Sequence, residues 1–98
     1  MAKRRSKLRD EADFHVDLDD AMELFVTLTP KRMELLQELR LQGSMSIYAL
    51  GQILGRDYSN VHKDVKQMRR LGLIELDKDR KVFVPWSSVE IRFSLEGD

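Results

Sequence analysis

The chain has 98 residues, 17 basic and 17 acidic, with 42% apolar side chains and no cysteine. That length fits one domain with a modest core. The missing cysteines exclude a disulfide scaffold and thiolate metal sites. No apolar run approaches the ~20 residues of a membrane span. The basic opening "KRRSKLR" runs into acid rather than an apolar stretch, so it is not a signal peptide, and a soluble cytoplasmic protein is the expectation.

A neutral total hides an uneven distribution. Lys3 to Arg9 carries five positive charges and no acid, and Asp10 to Glu23 carries seven acids and no positive charge. Lys31 to Gly72 holds eight positive charges against four acids, a net of 8 − 4 = +4. A polyanionic partner responds to that local field rather than to the sum.

Residues 1–13 read as a flexible arm, and 14–98 as one folded domain. "FHVDL" alternates Phe14, Val16 and Leu18 with His15 and Asp17, the pattern of a short strand. Asp19 or Asp20 then caps an expected helix over "AMELFVTL". Thr29-Pro30 marks a second helix start, an N-cap followed by a proline that lacks only an N–H the helix would not use. Met33, Leu35, Leu36 and Leu39 form its stripe, and Gly43 stops it.

Ser46 caps a short third helix with apolar Ile47, Leu50, Ile53 and Leu54, ended by Gly55. Asp57 or Ser59 caps a fourth, about 57–71, with Val61, Val65, Met68 and Leu71 on one face and Gly72 after it. Gly51 costs ~1 kcal/mol relative to alanine within a helix, which suggests that the fourth helix crosses closely there. After Gly72 the period becomes extended. "LIEL" and "KVFVP" flank Asp77 to Arg80 as a hairpin over about 73–86, and "VEIRFSL" alternates as a further strand.

Helix, short helix, turn, helix and hairpin is the order of a winged helix-turn-helix. The expected fold is therefore α+β and mainly helical, with an extra N-terminal helix and an extra C-terminal strand. The fourth helix would be the one to enter a DNA major groove, ~12 Å wide, with its N-terminal turns deepest. Tyr58, Ser59, Asn60, His62 and Lys63 are the candidates for base edges. Lys66 and Arg69 are candidates for phosphate, as are Lys78, Arg80 and Lys81 at the hairpin tip, Ser44 and Ser46 beside the third helix's free N–H groups, and Arg56.

An outward Asp64 beside Lys63 would repel phosphate, so an internal pair with Arg32 or Arg56 is expected instead. A solvated face is the plain alternative for the basic helix. Lys3–Arg9 is equally a DNA-tracking arm or a solubilising terminus.

"LTPKRMELLQELRLQGSMSIYALGQILGRDYSNVHKDVKQMRRLGLIE" resembles a family of small prokaryotic winged-helix transcriptional regulators, similar to the MarR and ArsR groups. The resemblance covers Leu28 to about Trp86, and "GRDYSNVHKDV" is its most specific part. It implies DNA binding, usually as a dimer, and some members resemble antitoxins encoded beside a small toxin. Gly51 stands where alanine is usual, and the hairpin lacks the usual turn glycine.

His62 and Asp64 lie two apart and His15 is distant, so the spacing offers no metal-ligand set, and neither metal nor cofactor is expected. No nucleophile–base pair or phosphate-binding glycine loop is present, so enzyme activity is not expected. The surplus apolar faces of "AMELFVTL" and "VEIRFSL" suggest a homodimer. The expected partners are double-stranded DNA and a second copy, with a small toxin-like protein as the alternative partner of an antitoxin. A membrane is not among them.

Overall fold

The computed structural model describes residues 13–91 and 95–96. It is an α+β fold, mainly helical, with four helices and two small sheets among the described residues. Lys3–Arg9 and residues 92–94 of "VEIRFSL" lie outside the described residues.

Strand β1 (Asp13–Val16) opens the described chain, as its alternation predicts, and buries Phe14. Helix α1 (Leu18–Thr27) follows at once, so Leu18 is helical rather than part of the strand. Its N-cap is Asp17, not Asp19 or Asp20. The Asp17 carboxylate accepts from the N–H of Asp20 at 3.0 Å. Asp19 and Asp20 then occupy the first turn, where negative charge suits the helix dipole.

Helix α2 (Pro30–Gln42) has Thr29 as N-cap, Pro30 in its first turn and Gly43 after its last residue. Leu35, Leu36 and Leu39 are buried, while Met33 is 43% exposed and belongs to a surface instead. Helix α3 (Ile47–Leu54) starts at Ser46, whose hydroxyl accepts from Ala49 N–H at 3.0 Å. It ends at Gly55, which takes the left-handed conformation (φ +66°) that costs other residues ~1–2 kcal/mol. Only Leu50 of its apolar positions is fully buried, and Ile53 is largely outside.

Residues 55–57 link α3 to α4 (Tyr58–Arg70). Val61, Val65 and Met68 are buried on α4 as the spacing predicts, and Leu71 is its half-buried C-cap. Gly51 does mark a close approach. A β-carbon there would stand 3.2 Å from the backbone oxygen of Arg56 and 3.8 Å from a Val61 methyl. The tightest neighbour is thus the turn itself, closed by a hydrogen bond from Arg56 N–H to Gly51 O at 2.9 Å.

The hairpin comprises β2 (Glu75–Leu76) and β3 (Val82–Phe83), antiparallel. Arg80 N–H bonds to Asp77 O at 2.9 Å and Asp77 N–H to Lys81 O at 2.8 Å. That is a turn followed by one left-handed residue, a common three-residue hairpin loop. The left-handed position usually goes to glycine, and here Arg80 fills it with φ +64°. The hairpin is anchored to the α2–α3 connection, where Met45 and Val82 exchange backbone hydrogen bonds of 3.1 and 2.9 Å.

Strand β4 (Ser88–Ile91) returns to pair in parallel with β1, setting Phe14 opposite Val89 and His15 opposite Glu90. Between hairpin and strand, Trp86 closes the core. It meets Phe14 edge-on at 5.1 Å between ring centroids and donates from Nε1 to Gly72 O at 2.9 Å. The core joins every helix to the hairpin: Phe14, Leu24, Leu35, Leu39, Leu50, Val61, Val65, Met68, Leu73, Ile74, Val82 and Trp86. Burying each such large side chain contributes ~1.5–3 kcal/mol before chain entropy is set against it.

Candidate functional site

Helix α4 separates two chemistries by its period. Val61, Asp64, Val65 and Met68 face inward. Residues three or four apart share a face, so Ser59, Lys63 and Lys66 stand together on the outer side. Tyr58, His62 and Arg69 form one flank, and Asn60 lies on the other. All seven of these side chains are exposed. Tyr58 and His62 touch as tilted rings, centroids 5.7 Å apart. Ser59 donates from its hydroxyl to the Asp57 carboxylate at 2.9 Å, leaving that oxygen free to accept. Asp57 makes no side-chain cap to α4.

The acid in the middle of α4 is turned away from this surface. Asp64 accepts from Arg32 Nε at 2.8 Å and from Arg56 Nη2 at 2.7 Å, one oxygen to each. Both expected partners are therefore engaged at once. Burial by itself pushes the Asp64 carboxyl up. The two guanidinium hydrogen bonds, aided by their charge, outweigh burial and hold it below the ordinary 3.8. Arg32 also donates from Nη1 to Thr27 O at 3.1 Å, at the end of α1. Helices α2 and α4 and the α3–α4 turn meet at one carboxylate, and Arg32 ties the end of α1 to it.

This geometry corrects one candidate. Arg56, expected to grip phosphate, is committed to Asp64 with its side chain only 18% exposed. Its Nη1 is buried without a hydrogen-bond partner among the described residues. A salt-bridged, inward guanidinium has little left to offer an external anion. Arg70 is likewise held, bonded to Glu23 of α1 at 2.7 Å.

The remaining cationic candidates are exposed. Lys78, Arg80 and Lys81 stand on the hairpin loop. The loop is organised by Asp77, whose carboxylate accepts from the N–H groups of Asp79 at 2.8 Å and Lys81 at 3.0 Å. The Lys81 N–H foremost, against some desolvation, holds the Asp77 carboxyl below 3.8, with help from Asp79 N–H and the Ser44 hydroxyl. Ser44 thus faces the hairpin loop, while Ser46 accepts the α3 cap bond.

Two features escape the linear spacing. A groove of about 520 Å³ runs between α1, α2 and the Trp86–Ile91 segment, lined mainly by Leu24, Phe25, Met33, Leu36, Trp86 and Val89. The pairing of β1 with β4 also brings Asp13, His15 and Glu90 together, their ligand atoms within 4.8 Å of one another. The sequence spacing alone offers no such set, because these residues meet only through a strand pairing between distant parts of the chain.

Four helices, a hairpin anchored beside α3, and a basic outward face on α4 define a small α+β protein. Residues 27–91 match the family HVO_A0114, and the chain belongs to that family. No curated protein and no solved structure matches it.

Proposed function

We propose that the chain is a winged helix-turn-helix protein that binds double-stranded DNA and regulates transcription, as a repressor. The observation that carries this reading is the division of α4. Its inward face is apolar apart from a neutralised Asp64, and its outward face carries Lys63, Lys66 and Arg69 with Tyr58, Ser59, Asn60 and His62. An ordinary solvated helix mixes acids with bases. Here the only acid beyond the N-cap is withdrawn, and the polar groups able to address base edges crowd the first turns.

The order α2, α3, turn, α4, hairpin supports the same reading, as does the resemblance of Leu28 to Trp86 to winged-helix regulators. In this reading α4 lies in the major groove. Asn60 is suited to pair with adenine, and Lys63 with the O6 and N7 of guanine. Lys66, Arg69 and the hairpin's Lys78, Arg80 and Lys81 hold phosphates.

A homodimer completes the reading. Two recognition helices related by a two-fold axis and ~34 Å apart would read a pseudo-palindromic site. Exposed Met22, Phe25, Val26 and Met33 are the surface we assign to that contact.

The test is a gel-shift of the full chain on the promoter of its own gene at low salt. A retarded complex that is lost in Lys63→Ala/Lys66→Ala, with the far-ultraviolet circular dichroism unchanged, supports the reading. No complex at low salt ends it.

A further inference from the structure

We propose that Asp13, His15 and Glu90 form a binding site for a divalent transition ion of the zinc class, pinning β1 to β4. The proposal rests on the sheet and not on any reading of α4. Asp13 and His15 are two apart on β1 and so project from the same face. The parallel register then sets Glu90 directly opposite His15. One imidazole and two carboxylates thereby converge from two strands, all within 4.8 Å.

The imidazole separates this trio from an ordinary acidic patch. Hard cations such as Ca²⁺ and Mg²⁺ take oxygen donors, whereas a mixed nitrogen and oxygen set suits zinc and its neighbours. The spacing agrees with that choice. Donors ~2.1 Å from a tetrahedral ion stand roughly 3.4 Å apart, and donors on opposite sides of an ion about 4.2 Å. His15 Nδ1 and Glu90 Oε1 are 3.8 Å apart, between those two limits. Both side chains are about half exposed, so rotation can draw the trio in from its widest spacing, up to 4.8 Å, to ion-binding distances.

A hydroxyl orients the third donor. Ser88 Oγ donates to Asp13 Oδ1 at 2.9 Å, which aims the other oxygen of that carboxylate. Among the described residues no lysine or arginine pairs with Asp13 or Glu90. Two carboxylates held this close repel each other, and a divalent cation removes that cost. A two-stranded parallel sheet with one strand wholly on the surface is also below the usual limit of independent stability. A shared ion would join its strands.

The test uses the full chain and Zn²⁺. The sequence holds two histidines, His15 and His62, which makes each imidazole separately readable by long-range ¹H–¹⁵N spectroscopy. Zinc is expected to move the His15 signals and leave those of His62 in place. In a chelator competition, His15→Ala and Glu90→Ala should each weaken binding ~10-fold or more, the least that even outer partners of a metal cost. His62→Ala should leave the affinity unchanged, and excess Mg²⁺ should not compete. A shift at His62 alone, affinity unaltered in both site variants, or no shift at either imidazole with zinc in excess overturns the proposal. The spectra of the unsubstituted chain decide the matter even if a variant fails to fold.

Discussion

Asp64 on α4 accepts a hydrogen bond of 2.8 Å from Arg32, thirty-two residues earlier in the first turn of α2. Positive charge in a first turn opposes the helix dipole by a few tenths of a kcal/mol, and the carboxylate offsets it. Because Arg56 holds the other oxygen, the rotation of α4 about its axis is set from two directions. A helix whose outer residues must meet a fixed ligand geometry benefits from such a restraint.

Removing the shared acid should therefore cost more than removing an exposed ion pair. Asp64→Asn leaves two guanidinium groups facing each other in a part-buried site, and we expect a loss of about 3 kcal/mol, read from urea unfolding. The pH dependence has a definite sign. The folded carboxyl titrates below the ordinary 3.8, so near that pH the unfolded chain binds more protons and stability rises with pH. The gap between wild type and Asp64→Asn should be constant above about pH 5 and shrink as the pH falls below 4. A gap independent of pH down to 2 would remove the ion pair from the account.

Much of this arrangement was readable in advance, because it depends on local chemistry. Thr29-Pro30, Ser46, Gly43 and Gly55 mark helix ends by satisfying or freeing backbone groups, and each does so in the fold. The buried positions of α4 followed from their spacing, and Asp64 stood out as an acid in a basic helix. The cap of α1 did not follow, since three aspartates within four positions are chemically equivalent until the chain direction is known. The pairing of β1 with β4 and the Met45–Val82 bridge depend on contacts far apart in sequence, and no local pattern encodes them. Arg56 stood in two readings, as a partner of Asp64 and as a phosphate contact, because a guanidinium near a helix start looks the same in sequence whether it turns inward or outward.

If α4 reads DNA as proposed, its two groups of residues should fail in different ways. Lys66→Ala should weaken binding to every DNA sequence alike and lower the salt slope by ~1. Asn60→Ala should cost ~1–3 kcal/mol at one base position and relax the preference there. Binding measured across salt concentrations on a randomised site set separates the two. Equal salt slopes in both variants would mean that Asn60 reads no base.

Arg80 offers a prediction in the opposite direction. Its φ of +64° is a conformation glycine adopts without penalty. Arg80→Gly should therefore raise stability by about 0.5–1 kcal/mol, the left-handed cost less the extra entropy of glycine in the unfolded chain. If Arg80 also holds a phosphate, the same variant should bind DNA more weakly while melting higher. Thermal unfolding and a gel-shift on one preparation read both effects.

Phe14 and Trp86 join the first described strand to the end of the hairpin, and their energies should couple. Trp86→Ala is expected to cost ~3–5 kcal/mol, since it leaves a cavity and frees Gly72 O from its donor. In a double-mutant cycle with Phe14→Leu, the edge-on ring contact should appear as ~0.5–1.5 kcal/mol of coupling. Additive losses would mean that each ring serves the core independently.

The apolar face of α1 gives the last prediction. Phe25 is 62% exposed and Val26 81%, beside a groove that Phe25 and Met33 help to line. Scattered single apolar residues are normal on a surface, but a contiguous set of this kind marks a contact. If it is the two-fold contact of the proposed dimer, light scattering after size exclusion should give twice the 11.5 kDa chain mass. Phe25→Asp should return the protein to the monomer mass without loss of helix signal, because the residue contributes little to its own core. DNA affinity for a two-half-site operator should then fall steeply, while affinity for a single half-site stays unchanged. A wild-type chain that elutes as a monomer at every concentration would remove this face from the proposed dimer.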